Sequence, residues 1–219
     1  MQALMLVDSR RGLLVSGSLL AGAALVGLLV VLPVTAPVVQ AVDEAVWRMA
    51  GAARNEPATG VAVALSWLGG AAVNWPLRGA ALLLLAWRRH WLRAAAFTLA
   101  VVSSELFIGP VKALTDRPRP PGSLIGTTAA SFPSGHAIAT AVTAVGLVLV
   151  LARPGPSRWR WEVRAVVFTA VMALSRVYLR AHWLSDTVAG ALLGAGLALG
   201  WPALLMALRH QRDPTAPTS

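Results

Sequence analysis

The sequence predicts an all-α, polytopic membrane bundle of about six transmembrane helices, with a short amphipathic helix on the outer face. Three observations predict it. Of 219 residues, 57% are hydrophobic and only 13% charged, whereas a soluble domain carries about a quarter charged residues. Apolar segments of membrane-crossing length recur along the chain. Arginines sit at the ends of those segments rather than in a long basic patch. The net charge of +10 is therefore read as span-end charge, and no aromatic-interleaved basic run points to nucleic acid. The chain has no cysteine, which removes thiol nucleophiles, disulfides and cysteine-ligated metals.

The elements follow in order. After Asp8-Ser-Arg-Arg11 an apolar run extends from Gly12 to about Val34. It is longer than the roughly 7–15 residues of a signal-peptide core, so the first span, near 13–34, reads as an uncleaved anchor. Next, Val38, Val39, Val42, Val46, Met49, Ala50 and Ala53 recur at helical spacing, with Gln40, Asp43, Glu44 and Arg48 between them. That pattern fits an amphipathic helix on the outer interface, and equally a loop helix packed on the bundle.

The second span is expected near 68–87, although apolar character begins at Thr59, Gly69-Gly70 and Pro76 interrupt it, and Arg78 lies inside it. Four more are expected near 92–114, 135–152, 164–181 and 186–208. At about 1.5 Å per residue, most reach roughly the 30 Å of a hydrocarbon core. In the last span, Gly190 and Gly194, then Gly196 and Gly200, have the spacing of closely packed helices. Residues 1–219 read as one membrane-embedded domain whose tail, 210–219, is flexible.

Orientation follows from the basic residues. With the N-terminus in the cytoplasm, the cytoplasmic segments hold Arg10, Arg11, Arg88, Arg89, Arg93, Arg153, Arg158, Arg160, Arg164, Arg209 and Arg212, eleven of the nineteen. Short cytoplasmic loops favour such charge. Arg48, Arg54, Arg78, Lys112, Arg117, Arg119, Arg176 and Arg180 remain. Five of these crowd the outer ends of the third and fifth spans, against the topology rule, and need another reason.

Three polar clusters fall on that outer face. They are Lys112 to Arg119-Pro120, Ser131-Phe-Pro-Ser-Gly-His136, and Ser175-Arg176 continued by His182 and Asp186. Lys112, Arg119 and Arg176 lack nearby acids, and a phosphate is the natural missing partner. Pro133-Ser134-Gly135-His136 opens a helix whose free N–H groups favour an anion, and Gly135 lets the backbone approach it. His182 and Asp186 are four residues apart, so a helix puts them on one face. The carboxylate can hold one ring N–H and leave the other nitrogen free to attack. Two histidines, one with an orienting acid, in a nest of cations point to phosphoryl transfer through a phosphohistidine. Each residue alone has a commonplace reading as an interfacial or snorkelling side chain; three clusters on one face do not.

These clusters carry a specific resemblance. Lys112, six intervening residues and Arg119-Pro120 resemble the first motif of the type 2 phosphatidic acid phosphatase family, which is related to the vanadium haloperoxidases. Pro133-Ser-Gly-His136 resembles the second motif, and Ser175-Arg176, His182 and Asp186 the third, in order and spacing. The resemblance implies a membrane lipid phosphatase in which His182 is the nucleophile, Asp186 orients it and His136 protonates the leaving oxygen. It also implies that Lys112, Arg119, Ser134, Gly135 and Arg176 hold the phosphate. It implies no metal and no cofactor; the partners are a lipid phosphate or diphosphate and the surrounding membrane lipids. The expected location is a bacterial cytoplasmic membrane, with both termini in the cytoplasm and the site facing outward. Polyprenyl diphosphate, phosphatidylglycerol phosphate and phosphatidic acid are the candidate substrates. A lipid phosphotransferase with the same site, or a non-enzymatic lipid-binding protein, is the alternative.

Two charges lie outside the motifs. Glu105, seven residues before Lys112, is about 10.5 Å deeper on its helix. Arg78 is expected at similar depth, so the two should pair inside the bundle. Asp116, Arg117 and Arg180 have no role in this reading.

Overall fold

The structure is a computed structural model that describes residues 8–126, 129–153, 155 and 157–212. Among them the chain forms eight helices and no strand: α1 (Ser9–Val31), α2 (Ala36–Ala52), α3 (Glu56–Leu68), α4 (Ala71–Trp87), α5 (Trp91–Thr115), α6 (Gly135–Leu151), α7 (Arg158–Tyr178) and α8 (Leu184–Arg212). Local chemistry sets several ends. Asp8 caps α1 by accepting from the Arg11 amide at 2.9 Å, and Asn55 caps α3 by accepting from the Ala58 amide at 2.9 Å. Asp116 ends α5 in the left-handed conformation, φ +36°, with its amide on the Lys112 carbonyl at 3.0 Å. This is a backbone task that Asp accepts more readily than most residues.

Three helices are long and apolar enough to cross a membrane: Ser9–Val31, Trp91–Thr115 and Leu184–Gln211. Among the described residues the pair α3–α4, bent by 46° at its break, makes a fourth if the two helices cross as one span. Helix α4 covers the span expected near 68–87, and the apolar segment continues before it into α3, with Gly69 and Gly70 at the bend. Apolar α6 has 17 residues, about 25 Å. Helix α7 is longer but carries Arg158, Arg160 and Arg164 in its first two turns. His210 to Arg212 continue α8, so the helix occupies part of the expected tail; residues 213–219 lie outside the described residues.

Helix α8 is the hub, packing on α1, α5, α6 and α7. Its glycines divide the work. A Cβ on Gly190 or Gly194 would meet the Ser134 or Ile138 carbonyl oxygen of the α6 strip at 2.7 and 2.5 Å. Gly196 and Gly200 face α1, where Ser16 donates to the Gly196 carbonyl at 2.8 Å. Close backbone approach in the absence of a hydrophobic driving force is the reason for small residues here. The apolar core of Ala81, Leu85, Phe97, Val101, Val150 and Met206 lies toward the α4–α5 connection.

The structure joins Arg78 to Glu105 as expected, at 2.8 Å. Arg78 also donates to Thr143 Oγ1 at 2.9 Å and to the Ala139 carbonyl at 3.3 Å, so one buried guanidinium ties α4, α5 and α6. Helix α2 turns Asp43 inward and leaves Val38, Val42 and Met49 exposed. Glu44 and Arg48 are exposed as well, and Val39, Val46 and Ala50 are half-buried, so the helix packs on the bundle through a mixed face.

The tightest contact gives a test. Gly194→Ala should destabilise the protein by about 1–3 kcal/mol, the usual effect of overpacking, seen as a lower unfolding midpoint in detergent. Gly17→Ala, where a Cβ meets nothing within 4 Å, should leave the midpoint unchanged or slightly raised.

Candidate active site

All three clusters meet at one end of the bundle, where α5 ends and α6 and α8 begin. The turn after α7 presents His182, and α8 begins two residues later. His182 Nδ1 lies 3.4 Å from Asp186 Oδ2 and has no closer hydrogen-bond partner. On the other side of the ring, Nε2 is 3.3 Å from Arg119 Nη1. A guanidinium can only donate, so Nε2 is the acceptor and carries no proton. The tautomer therefore has Nδ1–H toward Asp186 and a free lone pair on Nε2. Burial pushes the His182 imidazole pKa down to about 4, opposed by Asp186 and reinforced by the charges of Arg119 and Arg176. At neutral pH the ring is uncharged.

The cations surround that ring. Arg119 donates to the Ala129 and Ala181 carbonyls at 2.6 Å and to Ala130 at 3.3 Å, and Lys112 Nζ also binds the Ala130 carbonyl. Burial lowers the Arg119 pKa, opposed by the charge of Asp186. Arg176 is buried and donates from Nη1 to Ser66 Oγ, while its Nε has no partner. At the start of α6, the Ser134 side chain makes no cap and its buried Oγ is also without a partner. A Cβ on Gly135 would meet open space. His136 Nε2 faces the Ser66 carbonyl at 3.1 Å; since a carbonyl only accepts, the proton of this ring is on Nε2. The site thus holds one histidine with a free lone pair on Nε2, a second whose Nε2 proton is held by the Ser66 carbonyl, and the cations Lys112, Arg119 and Arg176.

Sequence reasoning missed four contributors. Arg117 is the largest: it donates to Asp186 Oδ1 and to Asp43 Oδ2, both at 2.7 Å, to Ser185 Oγ at 2.7 Å and to Gln40 at 3.0 Å. Asp43, from α2, accepts in addition from the Ser185 amide at 2.9 Å. Ser131 donates to Asp186 Oδ2, and the Trp183 amide donates to the same oxygen at 2.9 Å. Asp186 is fully buried, and its carboxylate is fixed by three donors besides His182. Ser66, at the end of α3, is the fourth; its neighbours Gly69-Gly70 were visible, but nothing in the sequence brings α3 to His136. Arg117 had a signal: a basic residue on the outer side, between two motif cations, with no phosphate role.

Residues 91–210 match the model of the PAP2 superfamily. An undecaprenyl-diphosphatase of Sulfolobus acidocaldarius is 29% identical over 115 residues, which cover 47% of this chain and 48% of that one. A decaprenylphosphoryl-5-phosphoribose phosphatase of Mycobacterium tuberculosis is 34% identical over 113 residues, covering 49% and 57%. The chain spans about half the length of the curated relatives it matches. A PAP2-type phosphatidylglycerolphosphate phosphatase of Bacillus subtilis superposes with a TM-score of 0.74 at 24% identity, over 91% of this chain and 98% of that one. LpxE of Aquifex aeolicus superposes with a TM-score of 0.59 at 20% identity, over 71% and 91%. These structures share the fold.

The Asp43 contact gives the test for this site. Asp43→Ala leaves Arg117 buried with half its countercharge and should cost about 3–5 kcal/mol of stability, whereas Asp43→Asn should cost less. Thermal unfolding of the two variants in the same detergent measures the difference.

Proposed function

Because the chain belongs to the PAP2 superfamily, whose model matches more than half of it, we propose that it is an integral membrane lipid phosphatase acting through a phosphohistidine. One observation carries this reading: His182 presents an unprotonated Nε2 beside Arg119, with Asp186 behind its other nitrogen. The proposed substrates are lipid phosphates or diphosphates, namely polyprenyl diphosphate, phosphatidylglycerol phosphate or phosphatidic acid. The names of the two curated relatives, a diphosphatase and a phosphatase of polyprenyl lipids, favour that class.

In the first step His182 Nε2 attacks phosphorus. The N–P bond forms as the P–O bond to the leaving group breaks, and the leaving oxygen takes the electron pair and a proton from His136, which acts as the imidazolium beside the bound phosphate and is left as the neutral imidazole. In the second step water attacks phosphorus and gives its proton to His136, and the N–P electrons return to His182. Lys112, Arg119, Arg176 and the amides at the start of α6 hold the phosphoryl oxygens as charge builds on them. Ser134 Oγ and Arg176 Nε, unpartnered and buried, are donors available for that oxygen set.

Orientation is part of the proposal. The termini are proposed to lie in the cytoplasm and the site on the outer face, a reading supported by the arginines named above for the cytoplasmic segments. Six crossings follow if α6 and α7, flanked by the four apolar spans, also cross.

His182→Ala should reduce phosphate release from these lipids by several orders of magnitude, with the unfolding midpoint preserved; near-normal turnover would refute the assignment. The neutral imidazole is the reactive form, so activity should fall as pH drops through the pKa of His182. The acid limb of the kcat/KM profile should therefore inflect near 4 rather than near the ordinary 6.5.

A further inference from the structure

Of the eight basic residues that the topology rule does not explain, the structure accounts for five. Arg78 pairs with Glu105, Arg117 pairs with Asp43 and Asp186, and Lys112, Arg119 and Arg176 converge on the candidate site. Arg48 is exposed. Arg54 and Arg180 are left, and neither meets an acid among the described residues.

Both are half-buried, and they sit close enough for the charge of Arg54 to act on Arg180. Nε and Nη2 of Arg54 and Nε of Arg180 are shielded from solvent and have no hydrogen-bond partner. No carboxylate pairs with either among the described residues. Arg180 is held in place: its guanidinium stacks 4.0 Å from the centre of the Trp47 ring, and it touches Gly51 of α2 and Gly122 of the loop that follows Arg119-Pro120. Its φ of +53° is the left-handed region, where a non-glycine residue stays only if its surroundings hold it. Two neighbouring like charges with shielded, unsatisfied donors are complementary to an anion, which would satisfy those donors and relieve the repulsion.

The surroundings say which anion. Arg180 precedes the nucleophile by two residues, so their Cα atoms are at most about 7.6 Å apart. Arg119 binds the carbonyl of Ala181, between them. From the Arg54 end an apolar groove of about 750 Å³ runs between α2, α3 and α7, lined by Met49, Val61, Leu65, Val171, Leu174 and Val177. Asn55 and Tyr178 also line it, and its Leu65 precedes Ser66, which touches Arg176 and His136.

We propose that Arg54 and Arg180 form a second anion subsite, which takes a phosphate that the lipid headgroup carries beyond the one attacked by His182. The lipid chain lies in the α2–α3–α7 groove. The inference rests on the phosphatase reading and narrows it: headgroups with two phosphates, as in polyprenyl diphosphate and phosphatidylglycerol phosphate, are preferred over those with one.

The test compares the full chain, Arg54→Gln and Arg54→Gln/Arg180→Gln in phosphatidylcholine nanodiscs. Substrates are polyprenyl diphosphate and polyprenyl monophosphate with the same chain, and phosphatidylglycerol phosphate and phosphatidic acid. The variants should raise KM for both two-phosphate lipids about tenfold or more, with kcat and the KM of the one-phosphate lipids within twofold. Arg54→Lys should retain most of the preference. Equal effects on both substrate classes, or no effect, overturn the subsite. So does an effect that appears only when phosphatidylglycerol is added to the discs, which would assign the arginines to bulk anionic lipid. If the double variant fails to fold, Arg54→Gln alone decides by the same ratio. Wild-type protein that releases phosphate from none of the four lipids refutes the phosphatase reading itself.

Discussion

The arrangement at the candidate site depends on one buried guanidinium. Arg117 donates to Asp186, Asp43 and Ser185, and so links the end of α5, the start of α8 and helix α2 at a point closed to water. Removing two carboxylates and an arginine from water is costly and is tolerated only when geometry and hydrogen bonding are nearly complete. Here they are: every oxygen of Asp43 and Asp186 has a donor at 2.9 Å or less. The consequence reaches His182. An acid whose oxygens are fixed from behind fixes where the Nδ1 proton points, and the tautomer leaves Nε2 facing Arg119. Helix α2 lies before the segment matched by the family model, yet it supplies Asp43 and Gln40 to this network.

A second constraint is the excess of positive charge at one end of the bundle. Lys112 and Arg119 lean on backbone carbonyls of residues 129, 130 and 181, and Arg176 leans on Ser66. Neutral dipoles soften the repulsion among these cations without cancelling their charge, so the cluster keeps its attraction for an anion. Arg78 and Arg117 are treated differently, each meeting at least one carboxylate. The distinction separates arginines that hold the bundle together from arginines available to a ligand, and Arg54 and Arg180 fall on the second side.

Much of the helix set was legible. Long apolar runs give spans because no water is available to backbone groups in the hydrocarbon core, and the glycine spacings of α8 announced close contacts that the structure places against α6 and α1. The three motifs were legible because each is made of residues near one another in sequence. The break before the second span was legible, but not its geometry: two glycines permit either an end or a bend, and the 46° bend between α3 and α4 appears only once α3 has packed against α7. The amphipathic pattern of α2 was visible but not its facing, since a period of 3.6 says which residues share a side and not what that side meets.

By itself the sequence determined that the chain is a helical membrane protein, which residues form its three polar clusters, and that their charge lies where topology does not favour it. Composition and short-range spacing carry that information. Only the tertiary structure decided that Arg117 serves Asp186 rather than phosphate, that Asp116 is a left-handed helix end, and that Ser66 and Asp43 belong to the site. The assignments of Arg117, Ser66 and Asp43 depend on which donor reaches which acceptor across 69 or more residues of chain. Hydrogen bonds and ion pairs have ranges of about 3–4 Å, so a contact of that kind exists only once the helices have packed.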